Sequence, residues 1–171
     1  MAENKGKKFE QVIKESIERV PTATVDRIPD QVTKFKGSSN ICDFIAYYYP
    51  HQYYLECKSV HGNTLSISSV PKLGKDGELH GFYGNIRDNQ WEGLLEKSKC
   101  YGVVAGVICW WIDKDITLFL PIQTLKQLYD EGHKSVRYDA YTYSNVLVIG
   151  GEKKRVYFDY DMKTFFEINK H

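Results

Sequence analysis

Two acids and a lysine stand at a chemically useful spacing. Asp43 is followed by twelve residues, then Glu56, one residue, and Lys58, in the run D-F-I-A-Y-Y-Y-P-H-Q-Y-Y-L-E-C-K. Carboxylates so placed could hold Mg²⁺, a hard cation that needs only one or two of them, keeps several waters and accepts phosphate oxygens as further ligands. Such an ion makes a nucleophile from water and stabilises charge developing on a phosphate, and a lysine beside it could orient the water or neutralise the transition state. The chemistry indicated is hydrolysis of a phosphodiester.

These residues act together only if the backbone brings them together. Asp43–Tyr49 and Tyr53–Lys58 are rich in aromatic and β-branched residues and are separated by Pro50, His51 and Gln52, which predicts a β-hairpin. Side chains alternate along a strand, so Glu56 and Lys58 share one face while Leu55 and Cys57 take the other. A connection centred on Tyr49-Pro50 sets Asp43 opposite Glu56, and one centred on Pro50-His51 sets it opposite Lys58. A three-residue loop without a bulge would put Asp43 on the wrong face. Two acids brought close among Phe, Ile, Ala and Tyr would repel each other, and a cation resolves the conflict. The bare string also fits a surface hairpin with a Glu–Lys pair on its wet face, since short patterns recur by chance.

The supporting elements follow from periodicity. Phe9, Ile13, Ile17 and Val20 recur at helical spacing, which predicts an amphipathic helix over Lys7–Arg19, ended before Pro21, with Glu10 one step off the apolar stripe. Thr22–Ile28 reads as the first strand and Leu65–Val70 as a further one. Pro71–Ile86, rich in Gly and charge, reads as a long loop suited to substrate contact. Asp88 can cap a helix to about Lys99 that turns Trp91, Leu94, Leu95 and Ser98 inward, with Gln90 in its first turn. Gly102–Trp111 has the continuous apolar character of a strand buried on both faces. Ile116–Leu120 follows, and then Pro121 opens a helix with Ile122, Leu125 and Leu128 inward. Asn145–Asp161 reads as a closing hairpin. This order predicts an α/β fold in which a mixed sheet is flanked by helices.

Over most of its length the chain resembles the PD-(D/E)xK nuclease superfamily and, within it, the RecU-type Holliday junction resolvases. N-K-G-K-K-F-E-Q-V-I-K looks like that family's opening helix, with its acid at Glu10. S-S-N-I-C-D resembles the Ser/Thr-rich approach to the metal-binding Asp, and L-E-C-K matches the E-x-K strand. I-R-D-N-Q-W resembles the start of the next helix, where the family carries a Gln, here Gln90, and H-K-S-V-R-Y resembles a later Lys-Ser-Ile-Arg stretch. The resemblance implies a restriction-endonuclease-like core and an endodeoxyribonuclease that uses Mg²⁺, with Mn²⁺ able to substitute. Asp43 and Glu56 would hold the metal, Lys58 would assist the water, and Glu10 and Gln90 would complete the site. The implied substrate is branched DNA. A four-way junction needs two symmetric nicks, hence a homodimer with an isologous interface. Where the family inserts a longer stalk implicated in gripping the crossover, this chain has only the short run Ile28–Cys42. Ordinary duplex, flaps or ends are therefore the alternative substrates, and a non-catalytic DNA-binding module on the same fold is the alternative class.

Composition narrows the rest. At 171 residues, with 42% hydrophobic and 26% charged and neither repeat nor linker, the chain fits one nuclease domain over 1–171. There is no long apolar run and no charged-then-apolar leader, so neither a membrane span nor a secretory signal is read. Cys42, Cys57, Cys100 and Cys109 lack metal-site spacing and read as buried thiols of a cytoplasmic protein. Five histidines form no H-x-x-x-H pattern, and no phosphate-cradling glycine loop is present. A net charge of +1 places the weight of any DNA contact on local clusters: Lys7 and Lys8, Lys34 and Lys36 around Phe35, Lys72 and Lys75, Lys134 and Arg137. Tyr47, Tyr49 and Tyr54 are expected in sheet packing, and Phe82 and Tyr83 as aromatic contacts to DNA.

Overall fold

The computed structural model describes residues 5–29, 40–74 and 77–169. It opens with helix α1 (Lys5–Glu18), followed by strands β1 (Ala23–Arg27), β2 (Phe44–Tyr48) and β3 (His51–Val60). Short strands β4 (Thr64–Ser66), β5 (Lys72–Leu73), β6 (Leu79–His80), β7 (Phe82–Tyr83) and β8 (Ile86–Arg87) lead into α2 (Asp88–Ser98). Then come β9 (Val103–Trp111), β10 (Ile116–Pro121), α3 (Ile122–Asp130), β11 (Ser135–Arg137), β12 (Leu147–Val148), β13 (Gly151–Lys153), β14 (Phe158–Tyr160) and α4 (Met162–Ile168). Six strands form the central sheet in the order β1-β2-β3-β9-β10-β12. Among the described strands only β3 and β9 pair in parallel, and the crossover between them carries α2, as a parallel pair requires. The fold is mixed α/β, with helices on both faces of one sheet.

Alternation along the central strands splits the core in two. Phe44, Ala46, Tyr53, Leu55, Ile108 and Trp110 meet Phe9, Ile13 and Ile17 of α1 and Phe165 and Phe166 of α4. Ala105, Val107, Cys109, Trp111, Leu118 and Leu120 meet Trp91 and Leu94 of α2 and Ile122, Leu125 and Leu128 of α3. β9 is buried through both faces, as its unbroken apolar run predicts.

Several expectations need correction. Leu65–Val70 contributes only Leu65 and Ser66 to a strand, β4, which pairs with β11 outside the central sheet; Leu65 and Ile67 are nonetheless buried. Residues 71–86 are not a plain loop: β5 pairs with β6 and β7 with β8. The closing segment divides, because β12 joins β10 at the sheet edge and only β13 and β14 form a hairpin. On β2 the packed tyrosine is Tyr48, whereas Tyr47 and Tyr49 are exposed; Tyr54 of β3 is buried. Phase explains this, since Tyr48 shares the face of Phe44 and Ala46. Cys42, Cys57 and Cys109 are buried but Cys100, beyond α2, is exposed. α4 was not anticipated. Its signal was D-M-K-T-F-F, in which Asp161 accepts the Thr164 N–H as an N-cap and Met162, Phe165 and Phe166 fall on one face. Among the described residues no helix is long and apolar enough to cross a membrane.

Candidate active site

The β2–β3 connection is the two-residue Tyr49-Pro50 loop, joined by a cis peptide. Phe44 therefore faces Leu55 and Tyr48 faces His51, and the same register continued sets Asp43 opposite Glu56. Asp43 lies just beyond the end of β2. Its N–H donates to the Leu55 carbonyl at 3.1 Å, and its Oδ2 accepts the Cys57 N–H at 2.7 Å, which orients the carboxylate on the β3 backbone.

Glu56 is 2% exposed. Its Oε1 accepts from Lys58 Nζ at 2.6 Å and from Gln90 Nε2 at 2.7 Å. Its Oε2 is buried with no hydrogen-bond partner among the described residues. Burial pushes the Glu56 carboxyl up to about 7 and Asp43 adds to the rise, while the Lys58 charge and the hydrogen bonds from Lys58 and Gln90 offset part of it. Lys58 keeps 22% of its side chain exposed, so one end of the cluster opens to solvent.

Gln90 arrives from the first turn of α2 and is 7% exposed. Asp88 is the first residue of this helix and not its cap: Gln90 Oε1 accepts the Arg87 N–H at 3.1 Å. That bond leaves the amide NH₂ directed at Glu56, so one side chain serves both the start of α2 and the buried carboxylate. Glu10 approaches from the α1 side of the sheet, where its Oε2 accepts from Arg27 Nη2 at 2.8 Å. Burial raises the Cys57 thiol well above its usual range, and the charges of Asp43, Glu56 and Glu10 add to that rise. Arg27 was missed by the sequence reading. It ends β1, beside Ile28, whose N–H donates to the Asp43 carbonyl at 2.9 Å, and no period in the sequence marks it.

Lys7 and Lys8 lie in the first turns of α1, and Lys5 bears on Asp113 beyond β9. Asp113 also accepts from the Gly62 N–H at 2.6 Å and pairs with His61, tying the end of β9 to the turn after β3. Lys134 and Arg137 flank β11, whose partner is β4. Arg137 and Lys114, the latter missed from sequence, both lie over the Tyr138 ring. Lys72 is exposed on β5. Lys34, Phe35, Lys36 and Lys75 lie outside the described residues, as does the side chain of Phe82. Tyr83 is not a free stacking platform: its ring stacks on Trp91 at 4.5 Å with Tyr129 edge-on.

Among the described residues no three His, Cys, Asp or Glu side chains converge as a complete metal cage. Two facing carboxylates with one buried oxygen unpartnered nevertheless match what Mg²⁺ takes from protein, the remaining ligands being water and phosphate. The donor set is hard oxygen throughout and suits no soft metal. At the other end of β3 lies a cleft of about 570 Å³ bordered by His51, Gly102, Gln123, Gln127, Asn145 and Asn169, with no carboxylate, lysine or arginine among the described residues of its wall.

No family model matches the chain, and no curated protein sequence matches it. Among solved structures it is similar to the 1.6 Å structure of Archaeoglobus fulgidus Hjc, a Holliday junction resolvase from an archaeal hyperthermophile, at 17% identity and a TM-score of 0.47, covering 84% of this chain and 95% of that one.

Proposed function

We propose that this chain is a Mg²⁺-dependent endodeoxyribonuclease of the PD-(D/E)xK type that nicks branched DNA, four-way junctions foremost, as RecU-type resolvases do. One observation carries the reading: Glu56 is buried opposite Asp43, with Oε1 doubly hydrogen-bonded and Oε2 left without a partner among the described residues. A buried acceptor without a donor costs about 1–3 kcal/mol, and a second carboxylate facing it adds repulsion. A bound cation removes both penalties. A surface Glu–Lys pair would not be 2% exposed, nor would it need an amide from another helix.

Asp43 and Glu56 would hold the ion, which when bound supplies an activated water and charge stabilisation at the scissile phosphate. The Cys57 N–H fixes the Asp43 carboxylate, and Gln90 fixes Glu56. Lys58, partly open to solvent, would meet the water or a phosphate oxygen. Lys7, Lys8, Lys134 and Arg137 would hold the DNA backbone, and a homodimer would present two such sites to the two strands of a junction.

Incubation of the protein with Mg²⁺ and matched junction, flap and linear duplex DNA tests the reading. Nicking is expected chiefly on the junction and is lost on chelation. Asp43→Asn and Glu56→Gln should each reduce it by about a thousandfold or more, while gel shifts persist or tighten because negative charge has been removed. Substantial Mg²⁺-dependent nicking by either variant would overturn the assignment.

A further inference from the structure

We propose that the β5–β6 ribbon carries an apolar wedge, Leu73 with Leu79, that enters the base stack at the branch point of DNA; this rests on the reading that the chain acts on branched DNA. Leu73 and Leu79 are directly opposite each other in the ribbon, so they share a face. They are 72% and 74% exposed, the two most exposed leucines among the described residues. Lys72 and His80 are the other opposed pair and occupy the reverse face, with Glu78 next to the tip. The ribbon therefore has one apolar side and one charged side, the latter shared by Lys72, His80 and Glu78.

Its root is fixed. Gly74 N–H donates to the Glu78 carbonyl at 2.7 Å, closing the ribbon beyond the leucines. A Cβ on Gly81 would come within 1.8 Å of Asp88 Oδ2, so the first residue of α2 lies directly against the backbone where the ribbon ends. Tyr83, stacked on Trp91, clamps the next residues to the same helix. Gln90, two residues past Asp88, touches Glu56. Chain spacing along this path puts the leucine pair on the order of 20 Å from Glu56, within one helical turn of duplex at ~34 Å.

Two leucines form far too small a patch for a stable contact between copies, which buries about 800 Å² per partner. They suit a base step, where inserted Leu side chains unstack DNA at a cost of a few kcal/mol per step. That cost is least where stacking is already broken, as it is at a branch, so a wedge selects junctions over continuous duplex.

The test compares affinities of the full chain for an immobile four-way junction and a linear duplex of the same arm sequence, with a fluorescent adenine analogue at the branch. The Leu73→Ser, Leu79→Ser double variant changes only exposed side chains. It should lower the junction-to-duplex affinity ratio by about tenfold and abolish the fluorescence rise, with duplex affinity within about twofold of wild type. Leu73→Met with Leu79→Met, which keeps apolar volume, should retain both signals. An unchanged ratio in the serine variant would overturn the wedge, as would a fall in its solution mass from dimer to monomer. Absence of Mg²⁺-dependent nicking by the wild type would instead remove the nuclease reading, because the affinity ratio is read without cleavage.

Discussion

Leu55 and Glu56 are neighbours on one strand and equally buried, at 0% and 2% exposure, yet they face opposite cores. On the α1 side, Tyr53, Leu55 and Cys57 meet Phe9, Ile13, Phe165 and Phe166 and form a closely packed aromatic and aliphatic layer. On the α2 side, Tyr54 is followed by Glu56 and Lys58, a charged pair inside a strand that could have been apolar throughout. The difference shows where the fold gains stability and where it gives some up. A side chain on the first face is replaceable only at a cost in stability. Glu56 should be replaceable at a gain in stability and a loss of chemistry.

Leu55→Ala tests the first half of that contrast and should have the largest effect on stability. Its side chain is fully buried between α1 and the sheet, so truncation loses burial and leaves a cavity, costing about 2–5 kcal/mol in chemical denaturation. A change below about 1 kcal/mol would show that the α1 face is not the stabilising layer.

Lys58→Ala addresses the other face. Lys58 retains solvent exposure and serves Glu56 Oε1, which Gln90 also holds, so folding should survive its loss. If Lys58 meets charge developing at the phosphate, single-turnover nicking should slow by about a hundredfold, or about 2.7 kcal/mol, with DNA affinity little changed. Rates equal to wild type would return Lys58 to the role of a simple partner for Glu56.

Glu56→Gln sharpens the contrast through pH. The folded carboxyl is pushed up to about 7 from an ordinary value of 4.5, so between those values the folded state holds a proton that the unfolded chain has released. Stability then falls as pH rises through that window, the opposite of a salt-bridged acid whose value is depressed. The Gln variant lacks this loss. In the absence of divalent ions it should match wild type near pH 4.5 and exceed it by about 1–3 kcal/mol at pH 8, or several degrees in Tm. Adding Mg²⁺ should raise the Tm of wild type only, since binding to the folded state alone adds stability. A gap independent of pH would mean that Glu56 is not a buried ionisable acid.

Much of this architecture was legible in the sequence. Strict alternation placed Glu56 and Lys58 together, and β9 declared itself by an unbroken apolar run. The facing of Asp43 and Glu56 was readable only as one of two registers, because the choice lies in which residues form the loop, a tertiary outcome that Pro50 permits but does not dictate. Arg27 was invisible for a different reason. An arginine at a strand end has no period, and only the packing of α1 against β1 gives it Glu10 as a partner. The β5–β6 and β7–β8 ribbons escaped notice because two-residue strands carry too little alternation to be read.

Gln90 links the two halves of the contrast, and its removal should give the smallest effect and the most discriminating one. Its Oε1 takes the Arg87 N–H at the start of α2 and its Nε2 donates to Glu56, so Gln90→Ala loses a helix cap and a carboxylate anchor at once. The cap alone is worth about 1 kcal/mol. Gln90→Glu keeps an acceptor for Arg87 but replaces the donor facing Glu56 with a third acid. If Gln90 were only a cap, the Glu variant would restore both stability and nicking. If it positions Glu56, the Glu variant should keep the Arg87 bond yet stay less stable than wild type at neutral pH, because a third buried acid repels Glu56, and remain at least tenfold slower, with a higher Mg²⁺ concentration at half-maximal rate. Full recovery of rate by Gln90→Glu would reduce Gln90 to a capping residue and leave Glu56 held by Lys58 alone.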